Sequence, residues 1–367
     1  MDKPDKRTVM TLDAGGTNLV FSAVQRNREV VEPITLPTEA DSLVKCLGNI
    51  CEGFRQVKDR LKEPPVAISF AFPGPADYPN GIIGDLGNLP AFRGGVALGP
   101  MLKEKFGIPV FINNDGDLFV YGEAIAGLLP RVNMLLSRSG SPKIFRNLFG
   151  VTLGTGFGAG LVHNGELYLG DNSAGAEIWL VRNKKYPDAP VEESASIRAV
   201  QREYALKAGI PQAAAPSPKD IFEIATGVKQ GNWEAAVNAY KILGEAVGDA
   251  LANAVTLLDT LVVIGGGLAG AHSLFLSDVV REMNSSLRLF SGQNVGRTEL
   301  KAYNLEDAAE TDAFLRGDVR EIQVPGSDRK ILYDPQKRVG VGLSVLGTSR
   351  AVSVGACAFA LHALDRK

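Results

Sequence analysis

Residues 11–17 read Thr-Leu-Asp-Ala-Gly-Gly-Thr, and apolar residues follow at positions 19–21. The pattern predicts a strand, a glycine turn and a second strand that ends at the polar residues 26–28. Glycine lets the backbone approach an anion closely, with its amides pointing at the charge. This stretch therefore predicts a hairpin whose turn binds phosphate.

A second stretch opens in the same way. Residues 152–158 read Thr-Leu-Gly-Thr-Gly-Phe-Gly, an apolar run continues to residue 162, and polar residues follow at 163–165. The two stretches lie about one domain length apart in a chain of 367 residues, which is long enough for two domains. We interpret them as the starts of two duplicated α/β domains; chance similarity of two glycine turns is the alternative.

The remaining pattern alternates between strands and helices. The segments at 66–72, 108–112 and 261–264 indicate buried strands, and those at 118–129, 194–207, 233–258, 273–290 and 352–364 indicate helices. This alternation predicts an α/β architecture. Residues 315–345 mix glycine, proline and charge, and two interpretations stay open: an inserted hairpin near a nucleotide, or a dimer contact.

Composition and charge exclude several classes of protein. The 39 basic and 41 acidic residues leave no positive excess for binding nucleic acid. Three cysteines fit neither a disulfide framework nor a CxxC pair, so we expect reduced, buried thiols. The charged start, MDKPDKR, is not a signal peptide, and Asn253 and Asp259 interrupt the longest apolar region. We therefore expect a cytoplasmic protein without a membrane span.

The glycine motifs narrow the kind of phosphate site. No P-loop sequence is present, and residues 154–159 fit the dinucleotide fingerprint only superficially, because a strand and a turn follow where a helix is required. A carboxylate at the bend of a hairpin is a different device. Asp13 can hold Mg²⁺ directly or through water, while Gly15, Gly16 and Thr17 donate to phosphate oxygens.

Four features stand in a specific order: the first hairpin, an Asn-Asp pair after a strand, the second hairpin, and a strand ending in three glycines. This order resembles the sugar-kinase branch of the actin-like ATPase superfamily, and most closely the ROK family. The resemblance implies an α/β fold of two duplicated actin-like ATPase (ribonuclease H-like) domains with a cleft between them. We expect lobes at 1–125 and 126–351, with the helix at 352–367 packing back on the first.

The resemblance also implies a nucleotide site for ATP and Mg²⁺. The residues that match the first phosphate loop, the second phosphate loop and the adenosine loop are Asp13, Gly15, Gly16, Thr17, Gly154, Thr155, Gly156, Gly265, Gly266 and Gly267. Among these, Asp13 is the expected Mg²⁺ residue, acting through water or phosphate.

The Asn-Asp pair matches the family's sugar-binding Asn and catalytic Asp, which are Asn114 and Asp115 here. A carboxylate at this position can accept the proton of an attacking sugar hydroxyl; the alternative is that Asp115 merely caps a helix. Asp117, where the family more often has Asn, is expected to be structural. Gly74 and Asn88 fall in segments that resemble the lining of the family's sugar pocket.

The chain departs from the family where many members bind zinc. Residues 174–180 keep the family's acid as Glu177 but lack the Gly-His that follows it, and residues 181–190 contain neither Cys nor His. A structural zinc needs such ligands, so we expect none. Past this loop, Glu192 matches an acid that binds a sugar hydroxyl. Solvated charges at helix ends are the alternative for both Glu177 and Glu192.

The resemblance implies an ATP-dependent hexose kinase that phosphorylates the 6-hydroxyl of glucose or a related hexose. N-acetylglucosamine, mannose, N-acetylmannosamine and fructose are the other candidate substrates. A sugar-responsive transcriptional regulator is the rival, but only about ten residues precede the first phosphate loop, too few for a helix-turn-helix domain. A non-catalytic sugar sensor is a second rival, disfavoured by the intact Asp13 and Asp115. We expect a homodimer, with sugar and ATP as the small-molecule partners.

Overall fold

The computed structural model describes residues 5–85 and 92–366. Its helices are α1 (Leu43–Arg60), α2 (Leu98–Phe106), α3 (Asp115–Ala126), α4 (Leu128–Arg138), α5 (Ile197–Ala208), α6 (Pro218–Ala225), α7 (Trp233–Leu258), α8 (Leu276–Met283), α9 (Ala308–Arg316) and α10 (Thr348–Asp365). Its strands are β1 (Val9–Ala14), β2 (Asn18–Gln25), β3 (Arg28–Glu29), β4 (Ile34–Pro37), β5 (Ala67–Ala71), β6 (Ala76–Asp77), β7 (Ile82–Ile83), β8 (Val110–Asn113), β9 (Leu148–Leu153), β10 (Phe157–His163), β11 (Glu166–Tyr168), β12 (Leu261–Gly265), β13 (Ser286–Arg288), β14 (Asn294–Gly296), β15 (Lys301–Asn304), β16 (Arg320–Gln323), β17 (Lys330–Tyr333) and β18 (Arg338–Leu343).

Contacts divide the described chain into two compact units. One unit contains the residues up to Gly127, the segment Gly160–Gly175 and the residues from Val345 onward. The other contains Leu128–Ala159 and Ala176–Ser344.

The sheet of the first unit has the order β3-β2-β1-β5-β8, with β4 also paired to β2. Strands β1 and β2 form the predicted antiparallel hairpin, whereas β1, β5 and β8 run parallel. Asp13 is in register with Ala71, and Ala71 is in register with Asn113. The carboxyl ends of these three strands therefore lie side by side, and so do the loops that follow them.

Alternation along β1 sends its side chains to two different helices. Met10 and Leu12 belong to the same buried cluster as Phe54 of α1, while Val9 on the opposite face packs with Cys357 of α10. This is the pattern of a strand covered on both faces. The three cysteines are buried free thiols, as predicted.

Helices α3 and α10 approach each other at glycines. A Cβ atom on Gly122 would lie 1.9 Å from the carbonyl oxygen of Ala351, and one on Gly355 would lie 1.9 Å from that of Leu118. The buried carboxylate of Glu123 accepts the N–H groups of Val345, at 3.2 Å, and Leu346, at 2.9 Å. These contacts fix the start of α10 against the helix that carries Asp115.

The second sheet has the order β11-β10-β9-β12-β18-β15. Strands β9, β12, β18 and β15 run parallel, and β10 and β11 form an antiparallel hairpin. His163 ends β10 at a turn, as predicted. The alternation of parallel strands and helices confirms the predicted α/β class.

Two predicted helices differ clearly from the structure. Helix α3 begins at Asp115, three residues before the predicted 118, because the side chain of Asn114 caps it by accepting the Gly116 N–H at 2.8 Å. It also ends at Ala126, and α4 follows as a separate helix, which was not predicted.

The prediction of a helix over 273–290 is wrong beyond residue 283, where α8 ends. Residues 286–288 form β13 of a two-stranded hairpin with β14, and its apolar Leu287, Leu289 and Phe290 are exposed. Apolar residues resembled a buried helix face there, but they lie on a protruding hairpin. In the unplaced stretch 315–345, β16 and β17 pair as a second exposed hairpin.

No helix in residues 5–85 or 92–366 combines the length and apolar character needed to cross a bilayer.

Candidate active site

The first glycine loop is held by a residue from a neighbouring strand. Within the turn, the Gly15 N–H donates to the Asn18 carbonyl at 3.0 Å. The buried Thr38, just after β4, donates its hydroxyl to the Gly15 carbonyl at 2.6 Å and its N–H to the Thr17 carbonyl at 2.9 Å. These bonds fix the backbone and leave Gly16 exposed at the tip.

Asp13 is the penultimate residue of β1 and lies beside open space. A cavity of about 450 Å³ within the first unit is lined by Asp13, Ser22 and, from the first turns of α10, Ser349 and Arg350. The Ser22 hydroxyl is buried and has no hydrogen-bond partner among the described residues. In that same part of the chain Asp13 has no ion pair, so its exposed carboxylate suits a hard cation that prefers oxygen ligands, such as Mg²⁺.

Asp115 is the first residue of α3, and only the capping residue Asn114 separates it from the end of β8. Its Oδ1 lies 2.9 Å from the Gly116 N–H, which also donates to Asn114 Oδ1 at 2.8 Å. Solvent reaches the side chain, yet protein atoms crowd it, and desolvation raises the pKa of its carboxyl above the usual value. The Gly116 amide opposes this effect, and the negative charge of Asp13 adds to it. The capping position itself belongs to Asn114.

Tyr78 joins the predicted sugar segment to the Asn-Asp pair. Its hydroxyl donates to the Phe72 carbonyl at 3.0 Å and lies 3.5 Å from Asn114 Nδ2. A Cβ atom on Gly74 would lie 3.1 Å from the same hydroxyl oxygen, so a larger residue at position 74 would crowd it. Asn88, the other predicted residue of this pocket, lies outside the described residues.

Asp117 occupies a different environment from Asp115. Its side chain is buried, whereas that of Asp115 is exposed. Strand β10 packs against this turn of α3, since a Cβ atom on Gly160 would lie 2.9 Å from the Asp117 Cα and 2.6 Å from the Gly116 carbonyl oxygen. The buried position agrees with a structural role for Asp117.

The second glycine loop, in the second unit, is held by a carboxylate. Glu192 Oε2 accepts the Phe157 N–H at 2.9 Å, and Glu192 Oε1 accepts from Arg198 Nη2 at 2.8 Å. Arg198 Nη1 also donates to the Thr155 carbonyl at 3.2 Å, while the Ile197 N–H donates to the Gly154 carbonyl at 2.8 Å. The loop is therefore fixed on both sides by the start of α5 and the turn before it.

The three glycines after β12 lie against this second loop. Gly265 is in register with Thr152. Gly266 has a φ of 87°, and a Cβ atom there would lie 2.3 Å from the Leu153 carbonyl oxygen, so only glycine fits the position. The predicted second phosphate loop and adenosine loop thus meet at the carboxyl ends of two adjacent parallel strands, the usual place for ligands in α/β sheets.

Glu177 stands at the start of a short 3-10 turn, Ile178–Leu180, in the second unit. Its exposed carboxylate accepts a hydrogen bond from the indole Nε1–H of Trp179. The turn packs against another 3-10 turn, Val191–Glu193, which carries Glu192. The two predicted sugar-contacting acids thus lie on neighbouring turns.

Hydrogen bonds close the loop 181–190, where many family members bind zinc. The buried Asn183 accepts the N–H groups of Lys185, at 2.9 Å, and Tyr186, at 3.1 Å, and donates to Ser194 Oγ at 2.8 Å. Lys185 and Tyr186 in turn bind Glu203 at 2.7 and 2.9 Å. Although burial raises the pKa of Glu203, these donors and the guanidinium of Arg202 bring it below its usual value.

Across the described residues, no group of three or more His, Cys, Asp or Glu side chains is arranged to hold a metal ion. The absence of a structural zinc stays a prediction, and the Asn183 network accounts for how the loop keeps its shape.

Sequence reasoning missed four residues that shape the site: Thr38, Tyr78, Asn183 and Arg198. Thr38 and Tyr78 contact residues that are distant in the sequence, so no local sequence pattern indicates their role. Arg198 is the one with a local signal, since it follows Glu192 by six residues at the first turn of a predicted helix.

Parallel strands with glycine loops at their carboxyl ends, an aspartate at the bend of the first loop and a second one heading a helix define a phosphotransferase of the actin-like ATPase class. A family model described as the ROK family matches residues 9–311. The chain therefore belongs to the ROK family, and the family and fold class predicted above are confirmed.

Similar proteins include a glucokinase from Parabacteroides distasonis, whose crystal structure is 56% identical, covers 98% of each chain and superposes with a TM-score of 0.90. A glucokinase from Thermotoga maritima is 27% identical over 73% of this chain and 84% of its own. An N-acetyl-D-glucosamine kinase from Vibrio cholerae is 27% identical over 72% and 85%. The predicted class of activity, a sugar kinase, is confirmed by these relatives.

Proposed function

We propose that the protein is an ATP-dependent hexose kinase that transfers the γ-phosphoryl group of ATP to the 6-hydroxyl of a hexose, with glucose the first candidate. The glucokinases from Parabacteroides distasonis and Thermotoga maritima support glucose, and the kinase from Vibrio cholerae makes N-acetylglucosamine the next candidate. One observation carries the proposal. Asp115 heads a helix beside the first phosphate loop, because Asp13, Ala71 and Asn113 are in register at the carboxyl ends of adjacent strands.

Asp115 acts as the general base. The 6-hydroxyl oxygen attacks the γ-phosphorus, its proton passes to the Asp115 carboxylate, and the bond from phosphorus to the ADP oxygen breaks. The raised pKa makes the Asp115 carboxylate a stronger base than an ordinary aspartate carboxylate, so it accepts a proton more readily. Asn114 and the Gly74 segment bind the sugar. The Tyr78 hydroxyl links the start of that segment to Asn114 at the carboxyl ends of the strands, so both can contact one ligand. Asn88 joins them by resemblance.

The glycine loops bind the nucleotide. Exposed amides at Gly16 and Thr17 donate to phosphate oxygens, Gly154, Thr155 and Gly156 form the second cradle, and Gly265–Gly267 take the adenosine. Asp13 is the residue that would hold Mg²⁺ through water or phosphate. When bound, the ion neutralises charge on the β- and γ-phosphates. Arg350, which lines the same cavity as Asp13, adds a positive charge for the phosphate chain.

Glu177 and Glu192 accept sugar hydroxyls. Glu177 keeps lone pairs free beyond its bond from Trp179, because an ionised carboxylate offers about four acceptor positions. Glu192 has one partner on each oxygen and also positions the second loop. In this way a single acid would connect the sugar to the phosphate cradle.

We propose lobes at 1–125 and 126–351, with the C-terminal helix belonging to the first; the two compact units follow this division except that Gly160–Gly175 groups with the first unit. We also propose that the protein works in the cytoplasm, where ATP is available, and as a homodimer, the commonest symmetric assembly.

The experiment is an ADP-release assay coupled to NADH oxidation, run across glucose, N-acetylglucosamine, mannose, N-acetylmannosamine and fructose. Phosphorus NMR of the product then identifies the phosphorylated hydroxyl. Asp115→Asn is the inactive variant and Asp117→Asn the matched control, because both residues lie in the first turn of α3. We expect Asp115→Asn alone to lose turnover while retaining sugar binding by calorimetry.

Two results would contradict the proposal. One is ADP release that no hexose stimulates in the wild-type protein. The other is full turnover by Asp115→Asn with loss in Asp117→Asn, which would move the base to the buried position.

A further inference from the structure

Trp179 has no counterpart in the family pattern described above. It stands where that pattern has the glycine after the acid, and Leu180 stands where it has the histidine. An imidazole that would bind a sugar by hydrogen bonds is therefore replaced by an aromatic and an aliphatic side chain.

In the 3-10 turn that carries Trp179 and Leu180, the first residue is buried and the next two are exposed. Ile178 is only 4% exposed, whereas Trp179 is 37% and Leu180 is 58% exposed. The Leu180 N–H donates to the Glu177 carbonyl at 3.2 Å, and the Val191 N–H donates to the Val181 carbonyl at 2.8 Å. The backbone is thus fixed on both sides, and the two apolar side chains remain open to a ligand.

Trp179 also sets the direction of the acid. Its indole N–H donates to Glu177 Oε2, and no cation pairs with Glu177 in the described part of the chain. A charge-assisted bond of this kind restricts a carboxylate that would otherwise rotate freely. Glu177 Oε2 accepts the indole N–H, and Glu177 Oε1 has no hydrogen-bond partner among the described residues, so it can accept from a sugar hydroxyl.

A planar aromatic ring next to a fixed carboxylate is an arrangement that can bind a carbohydrate. The axial C–H groups of a pyranose form an apolar face that packs on a ring, and its hydroxyls donate to a carboxylate. We propose that Trp179 is a specificity-determining residue that stacks on the apolar face of the hexose and holds Glu177 toward its hydroxyls. This inference rests on the proposed function, because it places the sugar at Glu177.

Fluorescence tests the contact without requiring turnover. The chain has two tryptophans, and the other, Trp233, is an exposed residue at the start of α7. In Trp233→Phe, Trp179 is the sole tryptophan, and titration with glucose in the absence of nucleotide should change its emission saturably. In Trp179→Phe, which leaves only Trp233, the same titration should give no change.

Kinetics separates stacking from positioning. Trp179→Phe keeps a ring but loses the N–H donor, so we expect the KM for glucose to rise about tenfold, as for loss of a hydrogen bond to a charged group. Trp179→Ala loses the ring as well and should raise KM by about a further fivefold. The kcat should stay within about twofold in both. Leu180→Ala, at the more exposed neighbouring position, is the matched control and should change KM by less than about threefold.

Three results would overturn the inference. The first is an unchanged emission in Trp233→Phe while calorimetry shows that glucose binds. The second is a KM for Trp179→Ala equal to that of the wild type. The third is loss of kcat with unchanged KM. If calorimetry finds no hexose bound to the wild-type protein, the proposed function fails and the stacking proposal fails with it.

Discussion

The two glycine hairpins share a sequence pattern but are braced in different ways. The first is held by neutral bonds, from the hydroxyl and amide of Thr38 to the carbonyls of the turn. The second is held by charge, through Glu192 and its ion pair with Arg198. The first brace stabilises carbonyls and leaves the tip amides available, while the second fixes an amide of the loop, that of Phe157.

Two hairpins with the same glycine pattern are therefore held rigid by different kinds of contact. A hydroxyl brace adds about 0.5–1.5 kcal/mol and a bond to a charged group about 1.5–3 kcal/mol. We therefore expect the second loop to respond more strongly to loss of its brace than the first.

The largest effect should come from removing the chemistry instead of either brace. Asp115→Asn keeps the shape of the side chain and its acceptor for the Gly116 N–H but removes the base. We expect kcat to fall by about 10²–10⁴-fold, the usual contribution of a general base. The KM for ATP should stay within about threefold, as steady-state kinetics will show. A large rise in that KM would mean that Asp115 acts by holding the loop.

Breaking the second brace should have the next largest effect. Glu192→Ala leaves the Phe157 N–H without its acceptor and removes one partner of Arg198. We expect the KM for ATP to rise by about 10–100-fold, which corresponds to loss of a bond to a charged group. Glu193→Gln is the matched control, because Glu193 also pairs with Arg198, at 2.7 Å, but does not bind the loop. Equal rises in the two variants would show that the Phe157 bond contributes nothing.

Breaking the first brace should have a smaller effect. Thr38→Val removes the hydroxyl bond to the Gly15 carbonyl while conserving volume. We expect the KM for ATP to rise about fivefold, in line with about 1 kcal/mol for a neutral hydrogen bond. Thr38→Ser should restore the wild-type value, and Thr35→Val, at an exposed position on β4, should have no effect. If Thr38→Val exceeded Glu192→Ala, the ranking of the two braces would be reversed.

The smallest effect concerns stability and pH. Desolvation by the surrounding protein atoms raises the pKa of the Asp115 carboxyl in the folded protein, so folding favours its neutral form. Its contribution is complete below the unfolded pKa of about 3.9 and is lost as the pH rises through the folded pKa. Asp115→Asn should therefore have a higher Tm than the wild type at pH 7, with the gap closing toward pH 4. Calorimetric scans across this range would contradict the shift if the two Tm curves stayed parallel.

Much of the fold was predictable because local patterns agree with it. Helix α7 spans the predicted 233–258, since Asn232 caps its start and apolar residues recur along its length. The first hairpin was equally clear from its glycines. By contrast, the helix prediction over 286–290 failed because apolar residues there are exposed on a hairpin, and a sequence does not reveal which apolar groups stay in water.

The sequence predicts the glycine loops and acids of the site but not the side chains that hold them in place. Glycines and acids at strand ends mark Asp13 and Asp115, because phosphate binding requires those residue types at those places. Thr38 lies far from Gly15 in sequence, and its role depends on β4 pairing with β2. The bond between Trp179 and Glu177 is local, but a tryptophan in a loop does not show which acceptor its indole will meet.

The tight contact between α3 and α10 has a consequence for folding during translation. The helix that presents Asp115 is translated early, but the surface that fits its glycine at 122 belongs to residues made more than two hundred codons later. Until the ribosome has released that last segment, the groove on α3 lies bare. In a nascent chain, α3 and Asp115 would therefore lack the packing that α10 provides. Premature termination before residue 345 should leave a product with this surface exposed, which chaperones and proteases recognise.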